Sequence, residues 1–228
     1  MIKFPSPVAS MGERGVIPFV TQRKGEEAAP ANLVILRHRV GMSRRLYYRD
    51  EDVRDRPVRG VLWARCSFSM DGHGMPTGEP QWRFMHPYRQ MATMLAGRCQ
   101  VCTRPAKTPR GYIFMAGPKD EDPEQPSILT HQPPVCARHV RAVAKLCPHM
   151  EENPTLFLAR SAPLYGVLGS VYGRGPRGYA DVVSTPSEPV KFGDPLTRLL
   201  LGSQLVRRLS DFRVLEMDQL LAELEAAA

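Results

Sequence analysis

Alternating hydrophobic and polar positions mark several short strands in the first third of the chain. Residues 81–86 (QWRFMH) alternate as a half-buried strand does, and residues 61–66 (VLWARC) form another apolar run before a Gly- and Pro-rich turn. Together these two runs predict a β-hairpin. Residues 32–35 predict a further strand, and residues 16–20 (VIPFV) an edge strand, where proline is tolerated. Residues 44–59 mix both charge signs densely, which favours an exposed loop.

Helical spacing of apolar residues begins further along the chain. Residues 88–96 (YRQMATMLA) predict a short helix that ends at Gly97, since glycine favours the left-handed position after a helix. Residues 136–147 predict a second helix, which follows two prolines and ends at Pro148. One face of this helix carries six residues at helical spacing: Cys136, His139, Val140, Val143, Leu146 and Cys147.

Further strands are predicted around the second helix. Residues 111–117 (GYIFMAG) and 128–130 (ILT) flank an acidic, proline-broken turn and predict a second β-hairpin. Residues 156–159 predict a strand, and the glycine-containing residues 164–173 (LYGVLGSVYG) a close-packed core segment. No phosphate-cradling glycine motif with a lysine occurs there, so no nucleotide site is predicted.

The last part of the chain is predicted to be helical. Asp194 and Pro195 are the residue types of an N-cap and a first helical position. A wide apolar face follows over residues 196–212, and it contains Leu196, Leu199, Leu200, Val206 and Leu209. Asp218 begins a second, shorter predicted helix (DQLLAELEA).

Composition places the 228-residue chain, with 43% hydrophobic residues, among folded proteins. No stretch approaches the roughly 20 continuous apolar residues that cross a bilayer, and the first residues lack the apolar segment of a secretory signal. We therefore expect a cytoplasmic protein with no membrane partner. Because thiols stay reduced in that compartment, paired cysteines point to metal binding or catalysis rather than to disulfides.

The net charge of +8 is distributed unevenly. Residues 1–110 contain 19 Lys and Arg against 9 Asp and Glu, while residues 151–228 contain 8 against 10. A basic first half suits a polyanionic partner such as DNA or RNA. The bias also has a simpler explanation, because 25 of the 31 basic residues are arginines, as a GC-rich coding sequence produces.

Two paired motifs carry the clearest chemistry. Cys99 and Cys102 form a C-x2-C knuckle, and Cys136 and His139 lie one turn apart at the start of the predicted helix. The order knuckle, hairpin, helix is similar to a treble-clef zinc finger, which implies one Zn²⁺ held by these four residues. A thioredoxin-like redox pair is disfavoured, since a helix should begin at its first cysteine, whereas residues 103–105 predict a turn. Ordinary buried thiols are the remaining interpretation.

Three other residues are alternatives to His139 as the fourth ligand. Cys147 shares the helix face but lies about 16 Å along the helix from its first cysteine. His149 follows the helix, and His131 precedes it. The remaining cysteine and histidines show no metal-like spacing and are predicted to be structural or exposed: Cys66, His38, His73 and His86.

An HNH-type nuclease is the enzymatic alternative, because such enzymes often carry a zinc-stabilised treble clef. They also need a general-base histidine on the hairpin, with a carboxylate or second histidine for the catalytic metal. Residues 111–117 contain no His, Asp or Glu, and His131 is the only histidine of the predicted hairpin. We therefore predict a structural zinc site and assign no catalytic residues.

Four segments together resemble a family of uncharacterised actinobacterial proteins, some of them labelled phage proteins. The segments are RGVLWARC (59–66), CQVC (99–102), PPVCARHVRAVAKLCPH (133–149) and LARSAPLYGVLGSVYG (158–173). The resemblance spans most of the chain and implies an intracellular, chromosomal or prophage-linked protein. It implies no activity, and the zinc argument does not depend on it.

The sequence as a whole predicts an α+β protein in one composite globule. It comprises a β-rich basic N-terminal part (1–86), a treble-clef-like zinc module (87–149) and a mixed strand, then helical, C-terminal part (150–228). We expect a zinc-stabilised protein that binds nucleic acid or a protein complex; a protein-interaction factor without nucleic-acid binding is a further alternative. The candidate nucleic-acid contacts flank the knuckle and the helix: Arg98, Arg104, Arg110, Arg138 and Arg141.

Overall fold

The computed structural model describes residues 17–29, 32–37, 43–117, 124–146, 154–175 and 179–226. Up to residue 96 its elements are β1 (Thr21–Arg23), β2 (Leu33–Arg37), β3 (Arg44–Tyr48), β4 (Leu62–Trp63), β5 (Pro80–Met85) and α1 (Pro87–Ala96). The following elements are β6 (Tyr112–Ala116), β7 (Ile128–Thr130), α2 (Ala137–Leu146), β8 (Thr155–Ser161), β9 (Leu164–Arg174), β10 (Ala180–Ser184), β11 (Val190–Lys191), β12 (Leu200–Leu215) and α3 (Met217–Glu225). None of the helices in these residues has the length and apolar character needed to span a membrane.

One long antiparallel ladder organises the main sheet. β8 and β9 are separated only by Ala162 and Pro163, and both pair with β12. The register runs from Leu215 opposite Leu156, at one end, to Leu200 opposite Val171 at the other. Proline has no N–H to donate to a ladder, which accounts for the interruption between the two pieces.

Shorter strands extend both edges of this ladder. β6 pairs with the free edge of β8, and β10 and β11 pair with β9. On the opposite edge of β12, β4 pairs at Leu201 and Gly202, and β7 pairs at residues 207–209. The eight-stranded sheet therefore takes strands from the beginning, middle and end of the chain.

The Gln90 side chain fills the gap that β4 and β7 leave along β12. Its amide oxygen accepts a hydrogen bond from the Leu205 N–H (2.9 Å), and its amide nitrogen donates to the Leu205 carbonyl (2.9 Å). The same nitrogen donates to the His131 carbonyl at 2.7 Å. Because unpaired backbone groups are costly when buried, this side chain takes the place of a neighbouring strand and fixes α1 to the sheet.

The prediction of a largely helical C-terminal part is wrong. Residues 200–215 form the 16-residue strand β12, and only a short 3-10 turn at Pro195–Arg198 begins where the helix was predicted. Of the apolar residues at helical spacing, Leu200, Val206 and Leu209 are buried within the strand, whereas Leu196 is exposed in the 3-10 turn. Pairing with β8 and β9 overrides local propensity. The short helix predicted from Asp218 is confirmed as α3.

Both predicted hairpins are also wrong in their pairing. β4 pairs with β12 and β5 with β1, so residues 61–66 and 81–86 do not pair with each other. Likewise β6 pairs with β8 and β7 with β12. The local pattern predicts that a segment forms a strand, whereas the strand with which it pairs depends on distant residues. The supposed loop at residues 44–59 contains β3, which forms a two-stranded sheet with β2.

Other predicted elements are confirmed. The strands predicted at residues 32–35 and 156–159 appear as β2 and β8. Residues 17–20, the described part of the edge strand predicted at 16–20, precede β1 and form no strand. The helix predicted at 88–96 is α1, and Gly97 ends it with a left-handed backbone (φ 58°). The helix predicted from residue 136 is α2, up to the last residue described there, Leu146.

Candidate metal centre

The cysteine pair lies in a tight turn between α1 and β6. The Cys99 N–H donates to the Arg104 carbonyl (2.8 Å), and the Thr103 N–H donates back to the Cys99 carbonyl (3.0 Å). The turn needs a left-handed backbone at Thr103 (φ 58°). The Val101 N–H lies 3.4 Å from Cys99 Sγ, so a backbone donor is directed at that sulfur.

The second pair is brought to the turn by the backbone that leads into α2. Val135 forms a bridge with Ile113 of β6, and its N–H donates to the Ile113 carbonyl at 2.9 Å. The Gln100 N–H in the turn donates to the Pro134 carbonyl at 2.9 Å, which ties the two segments together directly. Cys136 then precedes the first turn of α2, and His139 lies within that turn.

These two segments bring all four predicted ligands together. One ligand atom from each of Cys99, Cys102, Cys136 and His139 lies within 4.8 Å of the other three. The Cys102 and Cys136 sulfurs are 3.9 Å apart. His139 Nδ1 lies 3.2 Å from Cys136 Sγ and 4.0 Å from Cys99 Sγ.

These separations match a tetrahedral zinc shell. With Zn–S of about 2.3 Å and Zn–N of about 2.0 Å, two sulfurs stand about 3.8 Å apart, and a sulfur and a nitrogen about 3.5 Å. The distances between Cys102 and Cys136 and between His139 and its two sulfur neighbours scatter around these values. One metal ion of this size can therefore contact all four atoms with only small side-chain movements.

Close packing of the four groups shifts their pKa values. Hydrogen bonding with Cys136 lowers the pKa of the Cys102 thiol, which gives this sulfur thiolate character. Hydrogen bonding with Cys102 and Cys136, and then burial, raise the pKa of Cys99. Hydrogen bonding to Cys102 raises the pKa of His139 to about 9. The cluster thus shares protons that a divalent cation would displace on binding.

The remaining candidate ligands lie elsewhere or outside the described residues. His131 is not part of the cluster, and its backbone carbonyl accepts from Gln90. Cys66 has a buried free thiol, as expected of a core residue, and its backbone forms an antiparallel β-bridge with Ala28. Cys147 and His149 lie outside the described residues, as does His38.

The predicted nucleic-acid contacts fall into two groups. Arg98 supports the knuckle, because its guanidinium donates to the Thr103 carbonyl at 2.7 Å, and Arg141 forms an exposed ion pair with Asp218 at 3.4 Å. Arg104, Arg110 and Arg138 are exposed, and within the described part of the chain none of the three has an ion-pair partner. Arg104 and Arg138 lie within two residues of a metal-ligand candidate, so they place positive charge beside the cluster.

Two polar constellations were missed from the sequence. Glu26 and Arg89 form a buried ion pair next to His86, and Arg110, Arg160 and Arg213 line one pocket together with Asp211. Neither set has a local motif, since the members of each come together only through strand pairing. For the ion pair, the available signal is Arg89 within the otherwise largely apolar helix α1, where it is buried; the charged residues of the pocket are exposed and give no such signal.

Comparison with known proteins yields no relative: no family model, curated protein or solved structure matches this chain.

Proposed function

We propose that Cys99, Cys102, Cys136 and His139 bind one Zn²⁺ in a treble-clef-like module. The observation that carries this proposal is the convergence of four ligand atoms to tetrahedral zinc spacing. The module has the treble-clef order of knuckle, strands and helix. It departs from that pattern in one respect, because β6 and β7 pair with the large sheet rather than with each other.

The role we assign to the zinc is structural. Three thiolates and one imidazole complete a four-coordinate shell, which leaves no position for water or substrate. The two ligand pairs lie in segments that are joined otherwise by a few backbone hydrogen bonds, such as the one from Gln100 to Pro134. A metal that holds both pairs would therefore fix the knuckle against the start of α2.

Zinc content of purified variants tests the ligand set. We expect one zinc per chain in the unmodified protein, and loss of that zinc together with lower thermal stability in Cys136→Ala and His139→Ala. Cys66→Ala is the matched control, because Cys66 is a buried thiol outside the cluster, and it should retain the metal. Full zinc occupancy in Cys136→Ala, measured by mass spectrometry of the metal, would contradict this assignment.

The surface beside the module is proposed to bind nucleic acid through the phosphate backbone. Arg104 and Arg138 are exposed and lie within two residues of Cys102 and His139, and the exposed Arg110 lies two residues before β6. Because these guanidinium groups have no ion-pair partner among the described residues, they are available for phosphates, which Arg contacts with two parallel hydrogen bonds. Such contacts give binding with little sequence preference. We also retain the prediction that this protein belongs with the phage-labelled actinobacterial proteins and acts inside the cell.

A gel-shift titration over a range of salt concentrations tests this surface. Affinity for duplex DNA should fall steeply with salt, with a log–log slope of about −0.9 for each phosphate contact. Arg104→Met and Arg138→Met should each weaken binding to all sequences alike and make the slope shallower by roughly 1. Arg83→Met, at an exposed position of β5, removes the same charge elsewhere and should have little effect.

Two results would count against this assignment. Absence of binding to duplex or single-stranded DNA or RNA at micromolar protein would leave a protein complex as the partner. Mg²⁺- or Mn²⁺-dependent nicking of plasmid DNA that disappears in His131→Ala would instead support the HNH-like nuclease.

A further inference from the structure

A small pocket lies where β6, β8 and β12 meet, on elements outside the zinc cluster. It has a volume of about 140 Å³ and is lined by Arg110, Leu158, Arg160, Asp211 and Arg213. Four of the five lining residues are charged, and three of these are arginines. A pocket of this composition selects a ligand by charge and hydrogen bonding, since Leu158 is its one apolar residue.

Strand register explains why Arg110, Arg160 and Asp211 converge, and it places Arg213 opposite Leu158. Ala159 pairs with Tyr112 of β6 on one side and with Phe212 of β12 on the other. Arg160 is the next residue after Ala159, so it lies between the segment that precedes Tyr112 and the segment that precedes Phe212. Those two segments carry Arg110 and Asp211.

The backbone at this point is shaped to let the segments approach. A Cβ at Gly111 would lie 2.4 Å from the Ala159 carbonyl oxygen, so only glycine lets the turn that carries Arg110 lie against β8. Asp211 has a left-handed backbone (φ 52°) in the middle of β12. Aspartate tolerates this conformation better than most residues, yet it is unusual inside a strand and is often found at binding sites.

The charges of the pocket are not balanced. Arg213 forms a two-bond ion pair with Glu223 of α3, one bond being 2.8 Å and the other 2.5 Å long. Among the described residues Arg110 and Arg160 have no ion-pair partner. Three guanidiniums thus face two carboxylates, those of Asp211 and Glu223, and the guanidiniums repel one another unless an anion lies between them.

We propose that this pocket binds the terminal phosphate of a phosphorylated ligand. A tetrahedral dianion offers oxygens to three guanidiniums at once, and Arg is the residue that matches phosphate geometry best. The pocket is small and bounded by three strands, which suits the end of a molecule rather than a chain that passes through.

The pocket is separate from the proposed nucleic-acid surface. Arg160 and Arg213 belong to the pocket alone, whereas Arg104 and Arg138 belong to the surface beside the metal centre. Only Arg110 contributes to both. Variants of Arg160 therefore test the pocket, and variants of Arg138 test the surface, so that the two proposals can fail independently.

Titration of the zinc-loaded protein with inorganic phosphate, at constant ionic strength maintained with chloride, tests the pocket. Phosphorus NMR or calorimetry should show one saturable site. Arg160→Met should weaken phosphate binding about tenfold or more, as expected for loss of a charged hydrogen bond. Arg83→Met, with the same charge change on β5, should bind phosphate as the unmodified protein does.

A second variant gives an increase in affinity, which misfolding cannot produce. Asp211→Asn removes a negative charge from the pocket and keeps a residue that tolerates the left-handed backbone. We expect it to bind phosphate several-fold more tightly. Unchanged or weaker binding in Asp211→Asn, or equal binding in Arg160→Met and Arg83→Met, would overturn the proposal.

The source of the phosphate is distinguished by comparing two oligonucleotides. A short single strand with a 5′-phosphate should bind more tightly than the same strand with a 5′-hydroxyl, and Arg160→Met should abolish the difference. If only free phosphate or a small phosphate monoester binds, the pocket stands and the ligand is a small molecule. If neither free phosphate nor a terminal phosphate binds, the pocket assignment is wrong. This holds even if the protein binds DNA in the gel shift and Arg138→Met weakens that binding.

Discussion

Glu26 and Arg89 form a fully buried ion pair that ties the first described segment of the chain to α1. The Arg89 guanidinium donates to both Glu26 carboxylate oxygens, at 2.5 and 2.6 Å, and to the Thr21 carbonyl at 2.8 Å. Glu26 also accepts from the backbone N–H groups of Arg23 and Ser69. Hydrogen bonds on this scale offset the large cost of burying both charges, and they hold the carboxylate ionised with a lowered pKa.

His86 is buried beside this pair and is held in its neutral form. Its Nε2 lies 2.9 Å from the Ser67 carbonyl, which can only accept, so Nε2 carries the proton. Nδ1 is buried and has no hydrogen-bond partner among the described residues. Burial, and then the positive charge of Arg89, lower the pKa of His86 from 6.5 to about 4, although Glu26 acts in the opposite direction. The ring packs against Phe68, with centroids 4.5 Å apart.

Stability should therefore decline as the pH falls from about 6.5 to about 4. The unfolded chain takes up a proton on this histidine near pH 6.5, whereas the folded protein does so only near pH 4. Above that window His86 is neutral in both the folded and the unfolded state, so its protonation costs no stability. A pKa shift of this size corresponds to about 3 kcal/mol in the free energy of unfolding. His86→Gln keeps an N–H donor for Ser67 and should flatten this part of the pH profile in urea unfolding experiments.

His73→Gln is the matched control, because His73 is exposed and this substitution removes the same titratable group from the surface. Its pH profile should follow that of the unmodified protein. Protonation of the metal ligands at low pH affects all three proteins alike, so the comparison isolates His86. A His86→Gln profile as steep as the control would show that another group is responsible.

At the level of helices and strands, predictions based on signals within a few residues are confirmed, whereas those that depend on distant contacts are wrong. α1 and α2 were predictable because proline at their starts and Gly97 at the end of α1 act within a few residues. The residues of the Cys/His cluster could be chosen for the same reason, since the members of each pair are three residues apart. β12 was not predictable, because its partners lie far away in sequence and its leucines also fit a helical face.

Glycine positions were the available signal against a helix in the C-terminal part. Gly202 lies inside the predicted helix, where glycine is unfavourable. In the structure, a Cβ at Gly169 would lie 2.1 Å from the Leu201 carbonyl oxygen, so two strand backbones approach closely there. Such contacts explain glycines at residues 169 and 202 that helical periodicity leaves unexplained. The arginine pocket could not be predicted, because it follows from the register of three strands.

Taken over the whole molecule, the metal centre and the main sheet share one hydrophobic core. Cys99 and Val101 of the knuckle are fully buried in the same cluster as Ile113 of β6 and Leu158 of β8. Leu220 of α3 belongs to that cluster as well. A change in the position of the knuckle is therefore transmitted directly to the strands that form the sheet, since closely packed interiors do not yield locally without loss of contacts.

Removal of the proposed zinc should consequently destabilise the entire sheet rather than the module alone. Structural zinc sites contribute roughly 10 kcal/mol or more to folding in small domains, which is similar to the total stability of about 5–15 kcal/mol of an ordinary domain. We expect a strong chelator to lower the midpoint of thermal unfolding of the unmodified protein. Circular dichroism should still show a single unfolding transition. Amide exchange in β12 should accelerate in parallel, because its partner β8 contributes Leu158 to the core of the metal module.

The same chelator should leave the midpoint of Cys136→Ala unchanged, since that variant has no zinc to lose. Two separate transitions, with exchange in β12 unaffected by the chelator, would show that the module unfolds independently of the sheet.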